Sequence, residues 1–231
     1  FYKWLMRSGV VDHDPVALAE KPKRPLRIPL WLEREEQSRF EATLKDRRNI
    51  PINIFGDNKT KMTETRRRYE MLFGLLLNSG LRISEALALR ASDVRILDGT
   101  AKSVRVIGKG NKERLVPLPG AFGAVFGFWL KDRNRTEPVF AKADGQAVSP
   151  QAARGYLRLM LKKAGIDKKI SPHKLRHTYA TNLLNAGAEL VDIKALLGHE
   201  SIATTQIYTN VGQGECSLKI GHCYTVSNDM T

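Results

Sequence analysis

The sequence predicts a mainly α-helical domain with a small antiparallel β-sheet, an α+β class. Three observations carry that prediction. From Leu32 onward most apolar residues recur at helical spacing. One central stretch, around Gly108 and Gly110, switches to a period of two. Serine–proline pairs and single glycines then punctuate the second half as helix starts and stops.

Residues 1–20 read as a helix end and an exit, with Phe1-Tyr2-Lys3-Trp4-Leu5 followed by Gly9 and Asp14-Pro15. Opening inside an apolar helix is what a piece of a larger protein would do. Lys21-Pro22-Lys23-Arg24-Pro25 reads as a stiff basic linker, because each proline fixes φ and favours an extended residue before it. Glu35 to Leu44 is expected to be one helix. Residues 46–62 form a polar insertion with Pro51, Gly56 and Asp57-Asn58. Thr65 to Asn78 is a strong helix that Ser79-Gly80 ends. Ile83 to Arg90 is the next. Val104-Arg105-Val106 and Arg114-Leu115-Val116 alternate about Gly108-Lys109-Gly110-Asn111, which predicts a β-hairpin. Pro119 to Lys131 is helical. Ser149-Pro150 and Ser171-Pro172 each open a helix, serine as cap and proline in the first turn. Leu175, Tyr179 and Leu183 make an inward stripe on the second of these, which Gly187 closes. Leu190 to Leu197 is short and stops at Gly198. Ser201 caps a helix that carries Tyr208.

The chain has 231 residues, of which 42% are apolar, so it can bury a core. Its formal charge is +14, from 38 basic and 24 acidic residues. Such an excess suits a polyanion, with nucleic acid the leading partner, although a basic soluble protein would show it too. No run approaches the ~18 apolar residues of a membrane helix. The longest apolar stretch, Met71-Leu72-Phe73-Gly74-Leu75-Leu76-Leu77, fits a buried helix. The two cysteines, Cys216 and Cys223, lie in the last segment. The core then folds without disulfides, which fits a reducing cytosol.

Several polar residues stand out by their setting. Arg82 lies in Ser79-Gly80-Leu81-Arg82-Ile83-Ser84-Glu85. A guanidinium grips two phosphate oxygens in a fork that lysine cannot match; a surface pairing with Glu85 is the plainer alternative. His173 and Arg176 are three apart on one helix and share a face, so both can reach one phosphate. Leu175 points elsewhere, and His177 reads as structural. Lys109 sits at the hairpin tip, where a solvated lysine is ordinary, and Lys112 competes with it. His199 follows Gly198, where it could cap backbone carbonyls. Tyr208 lies in Thr204-Thr205-Gln206-Ile207-Tyr208-Thr209, one of six tyrosines that compete as a nucleophile.

Taken together, in order and spacing, these motifs resemble the catalytic domain of the tyrosine recombinases, the family of phage integrases and Xer-type recombinases. The resemblance runs from about Leu30 to Val211. It implies the tyrosine-recombinase catalytic fold over residues 30–211. Residues 1–20 would then be the end of an N-terminal core-DNA-binding domain, 21–29 the linker, and 212–231 a divergent tail. It implies a site-specific recombinase in which Tyr208 attacks a phosphodiester and forms a 3′-phosphotyrosyl link. Arg82, Arg176 and His199 would stabilise the transition state, and His173 would take the tyrosine's proton. Lys109 would protonate the leaving 5′ oxygen, and Glu85 would orient Arg82 and a nearby histidine. Covalent catalysis conserves the bond energy, so the scheme needs no ATP, metal or other cofactor. The implied partner is double-stranded DNA with a specific recombination site, held by a homotetramer on two sites. Further phosphate or groove contacts are expected among Arg66-Arg67-Arg68, Arg90, Lys112 and Arg154, the triplet being otherwise a solvated helix start.

After Val211 the resemblance ends. Residues 212–231 lack a helical period and carry one lysine against two acids. Cys216, His222 and Cys223 give three candidate ligands, one short of a closed zinc site, so no metal is expected there. Three rival functions share parts of this pattern. A metal-free tyrosine topoisomerase shares the chemistry, a non-catalytic DNA-binding regulator shares the fold, and a basic RNA-binding protein shares only the charge.

Overall fold

The computed structural model describes residues 1–16, 30–46, 59–108, 113–142 and 144–198. The linker at 21–29, most of the polar insertion, Lys109, Lys112, His199, the helix expected to carry Tyr208, and the tail lie outside the described residues. The architecture is mainly helical with one three-stranded antiparallel sheet, as the sequence predicts. No helix among the described residues is long and apolar enough to cross a membrane.

Helix α1 (Tyr2–Arg7) buries none of its residues. Helix α2 (Arg34–Lys45) starts on a capping box, in which the Glu36 carboxylate accepts from the Glu33 amide, and buries Phe40 and Leu44. Helix α3 (Lys59–Ser79) is longer than expected, since it begins inside the polar insertion. Its apolar second half supplies Leu72, Phe73, Leu75 and Leu76, all fully buried. Each such side chain contributes ~1.5–3 kcal/mol by leaving water. Tyr69 and Phe73 of α3 stack with Tyr156 of α6 (Pro150–Lys163), the two tyrosine rings lying 4.0 Å apart.

Helix α4 (Ile83–Ala88) is shorter than the expected Ile83–Arg90. Arg90 is extended and bridges Pro138, and Ala91–Asp93 makes a 3₁₀ turn whose Asp93 carboxylate accepts from the Arg90 amide. That turn feeds β1 (Val94–Leu97), a strand the periodicity did not reveal. Asp98 and Gly99, both at positive φ, join β1 to β2 (Thr100–Ile107). The expected hairpin pairs β2 with β3 (Glu113–Pro117), Val104 facing Val116 and Val106 facing Arg114. Helix α5 (Gly120–Leu130) lies tight on β2, because Gly123 and Gly127 leave room for the carbonyls of Ala101 and Gly99.

Helix α6 begins as expected, with the Ser149 hydroxyl accepting from the Ala152 amide. Helix α7 (Pro172–Asn185) begins at the second serine–proline pair, and here Ser171 makes no side-chain cap. The stripe on α7 serves two clusters. Leu175 enters the main core, whereas Tyr179 packs with Ala180, Ile193 and Leu197 of a smaller cluster under α8 (Leu190–Leu197). The Leu32 amide donates to the Thr178 hydroxyl and Asn182 donates to Gln37, which fastens the start of the domain to α7.

Candidate active site

Helix α3 ends where the first arginine motif begins. Gly80 takes φ +61, and a Cβ there would lie 2.3 Å from the Tyr179 ring, so only glycine fits. The turn sends Leu81 into the core and leaves Arg82 at the mouth of α4, its side chain 42% exposed. The Arg82 amide donates to Glu85 Oε2 at 2.8 Å, and Arg82 Nη1 donates to Oε1 at 2.8 Å. Glu85 is nearly buried, with a side chain 8% exposed.

Arg176 comes up from α7 beneath this turn. Its side chain is 2% exposed, and Nη1 lies 3.9 Å from Glu85 Oε2. Nη1 also donates to the Gly80 carbonyl at 2.9 Å, and Nη2 donates to the Leu197 carbonyl. Arg176 thus ties the end of α3 to the end of α8. His173, one turn earlier on α7, is exposed and meets His177 edge to face, ring centres 4.6 Å apart. Partial desolvation of the His173 ring, and then the charges of Arg176 and Arg82, hold its pKa below the ordinary value.

Sequence reasoning missed Arg114. It sits on β3 and faces inward, its Nη1 and Nη2 donating to the two Glu85 oxygens at 3.2 and 2.9 Å. Its Nε donates to the Leu196 carbonyl at 3.3 Å. The signal was present, because strand alternation puts Arg114 on the same face as the buried Val116. Burial by itself would raise the Glu85 carboxyl; hydrogen bonds and charge from Arg114, with those from Arg82, outweigh it and hold Glu85 below the ordinary carboxylate value. Among the described residues, three guanidinium groups meet one carboxylate, a net charge of +2 (3 − 1) for these four side chains. A phosphate-sized anion is the natural complement of such a cluster.

The structure therefore gathers Arg82, Glu85, His173 and Arg176. Lys109, His199 and Tyr208 belong to the same expected constellation but lie outside the described residues. The expected basic triplet divides. Arg66 and Arg68 are turned inward, 8% and 7% exposed, and only Arg67 is exposed. Arg66 donates to the carbonyls of Leu44 and Lys45 and pairs with Glu70 at 2.8 Å, so it closes the end of α2 instead of presenting a charge outward. Arg90 is exposed and donates to the Thr136 carbonyl; Arg154 is exposed on α6.

Comparison with known proteins follows the same line. The phage integrase family model matches residues 55–215, more than half of the chain. Tyrosine recombinase XerC of Anoxybacillus flavithermus is 32% identical over 220 residues, covering 91% of this chain and 67% of that protein. Tyrosine recombinase XerC of Rhodospirillum centenum is 37% identical over 219 residues, covering 91% of this chain and 59% of that protein. The crystal structure of XerH site-specific recombinase bound to palindromic difH substrate matches with a TM-score of 0.65 and 25% identity. That match covers 81% of this chain and 51% of the XerH chain. The chain thus spans between about half and two thirds of the length of these relatives. From its motifs, its fold and these matches, the chain belongs to the phage integrase family, the tyrosine recombinases.

Proposed function

We propose that this chain is the catalytic part of a site-specific DNA recombinase. The observation that carries the reading is the cluster of Arg82, Arg176 and His173, drawn from separate segments around one ionised Glu85 and left with excess positive charge. Tyr208 attacks a DNA phosphodiester. The tyrosyl oxygen forms a bond to phosphorus as the bond to the 5′ oxygen breaks. The product is a 3′-phosphotyrosyl link and a 5′ hydroxyl. A 5′ hydroxyl from a second strand then reverses the step and rejoins the DNA in a new arrangement. His173 accepts the tyrosine's proton, Lys109 returns one to the leaving oxygen, and Arg82, Arg176 and His199 hold the non-bridging oxygens. Charge on the phosphorane is met by side chains and bond energy is kept in the phosphotyrosine, so neither metal nor ATP enters.

The surroundings of three of the five other tyrosines support Tyr208. Burial raises the Tyr69 hydroxyl and pushes Tyr156 up to about 12, and both rings are packed in the core stack. Tyr179 is 8% exposed and lies against Gly80. None of the three can swing out to a duplex without opening the core. The partner in this reading is double-stranded DNA, with exposed Arg67, Arg90 and Arg154 and the hairpin's Lys112 as backbone contacts, in a homotetramer that spans two sites. Residues 30–211 form the catalytic unit, with 1–20 and 21–29 leading from a DNA-clamping domain.

A suicide duplex, nicked next to the cleavage position, tests the function. A tight-binding site is first selected from random duplexes. The chain should form an adduct that survives denaturing electrophoresis, and Tyr208→Phe should bind the duplex equally well and form none. An adduct that persists in Tyr208→Phe would move the nucleophile elsewhere. Relaxation of any supercoiled plasmid, without a selected site, would indicate a topoisomerase.

A further inference from the structure

Arg114 has no part in the chemistry assigned above, yet three hydrogen bonds tie it into the cluster. Its side chain is 15% exposed, and its planar guanidinium faces both oxygens of Glu85 in a fork. Its third contact, from Nε to the Leu196 carbonyl, reaches the last turn of α8. Just beyond, the chain turns at Gly198, with φ +65. A Cβ on Gly198 would lie 3.2 Å from Arg114 Nη1 and 3.3 Å from Cζ and Nε. The guanidinium therefore lies flat against the backbone that leads to His199. On its own strand, Arg114 pairs with Val106, one step before the last pair of the ladder, Ile107 with Glu113.

The two arginines on Glu85 are not equivalent. Arg114 holds the carboxylate with two nitrogens and is largely buried. Arg82 gives one guanidinium nitrogen, at 2.8 Å, and is 42% exposed. A two-point fork fixes the plane of a carboxylate; a one-point contact only follows it. We propose that Arg114 is a positioning residue: by locking Glu85 it sets the direction in which Arg82 presents its remaining donors to the scissile phosphate. This rests on the recombinase reading and adds to it a residue that never touches DNA.

A mutant cycle with the full chain tests it, using the selected nicked duplex and single-turnover adduct formation. Thermal unfolding and DNA affinity are measured on every variant. Arg114→Ala should slow adduct formation by ~10²-fold, the scale of losing one oriented donor, with DNA affinity unchanged. Arg114→Lys reaches a single oxygen, keeps the cluster's charge, and should fall between. The deciding readout is the Arg82→Ala background, where there is no guanidinium left to aim. There, adding Arg114→Ala or Arg114→Lys should cost no further rate. A residue that merely held the fold together would slow both backgrounds alike, so equal losses would overturn the proposal. A loss of DNA affinity that matches the loss of rate would overturn it too, by making Arg114 a DNA contact. Should Arg114→Ala fail to fold, the lysine variant completes the same cycle. No adduct from the unsubstituted chain would be a different result, a failure of the recombinase reading itself.

Discussion

His173 shows how one residue is tuned by its neighbours. Loss of water around the ring disfavours the imidazolium, and Arg176 and Arg82 repel it. The neutral ring that results near pH 7 is the form able to accept a proton. With the folded value lowered from 6.5, the folded chain binds this proton less readily than the unfolded one. Stability at this group is therefore whole above pH 6.5 and declines as pH falls through the folded value. Arg82→Ala removes one repelling charge, so an NMR titration should find the His173 pKa higher in the variant. An unchanged value would mean that the Arg82 charge does not reach the ring. Arg176 gives a second prediction. Its guanidinium serves two carbonyls on different helix ends, Gly80 and Leu197. An ammonium is a point donor without the two spaced nitrogens that reach these carbonyls, and a buried carbonyl left without a donor costs ~1–3 kcal/mol. Arg176→Lys should lose about that much in chemical denaturation, as well as most of its cleavage rate. Parent-like stability would show that the two carbonyls do not depend on the guanidinium.

Helix α4 is only six residues long, and an isolated helix of that length would not persist in water. Three features hold it: the cap from Glu85 to the Arg82 amide, the buried Ala86 and Leu87, and the ion pair with Arg114 on β3. Glu85 therefore joins the start of a helix to the sheet, while Arg176 and Arg114 join the last carbonyls of α8 to the same point. Replacing Glu85 with glutamine leaves the guanidinium groups without their counter-charge, and breaking a buried pair in this way costs ~3–5 kcal/mol. The pH response has a definite sign. Glu85 titrates below its ordinary 4.5 in the fold, so its stabilisation is complete above 4.5 and is lost as pH falls through the lower folded value. Thermal melts of the parent should therefore decline on acidification below 4.5, and melts of Glu85→Gln should decline less. Parallel curves would show that the Glu85 carboxylate carries no such share of the stability.

On the scale of the molecule, the charge of +14 is far more than the catalytic cluster uses. Most of it is available to a long polyanion. If binding neutralises roughly six to ten phosphates, affinity should fall by ~10³–10⁵ between about 50 and 200 mM salt. Fluorescence anisotropy with a labelled duplex measures this, and a flat salt response would contradict phosphate-dominated binding. Arg66 and Arg68 will contribute little to that slope, since both are buried. Exposed Arg67 and Arg154 should contribute more.

The sequence by itself determined the fold class, the helix starts at Ser149-Pro150 and Ser171-Pro172, the hairpin around Gly108, and the order of the motifs. These are local matters. A serine before a proline, or alternation of two valines, expresses backbone preferences over a few residues. Strand β1 was missed because only Val94 of its four residues is buried, so no alternation shows, although Asp98-Gly99 marks its turn. The early end of α4 was missed because the Arg90 amide finds Asp93 instead of continuing a helix. Only the tertiary structure decided which charges share a site. Arg66 and Arg67 are neighbours in sequence, yet one closes a helix end and the other faces solvent. Arg114 and Glu85 are 29 residues apart, and Arg176 and Gly80 are 96 apart. Periodicity tells which face of an element turns inward. Which polar groups meet there depends on how the elements cross, and that is settled by packing the whole core.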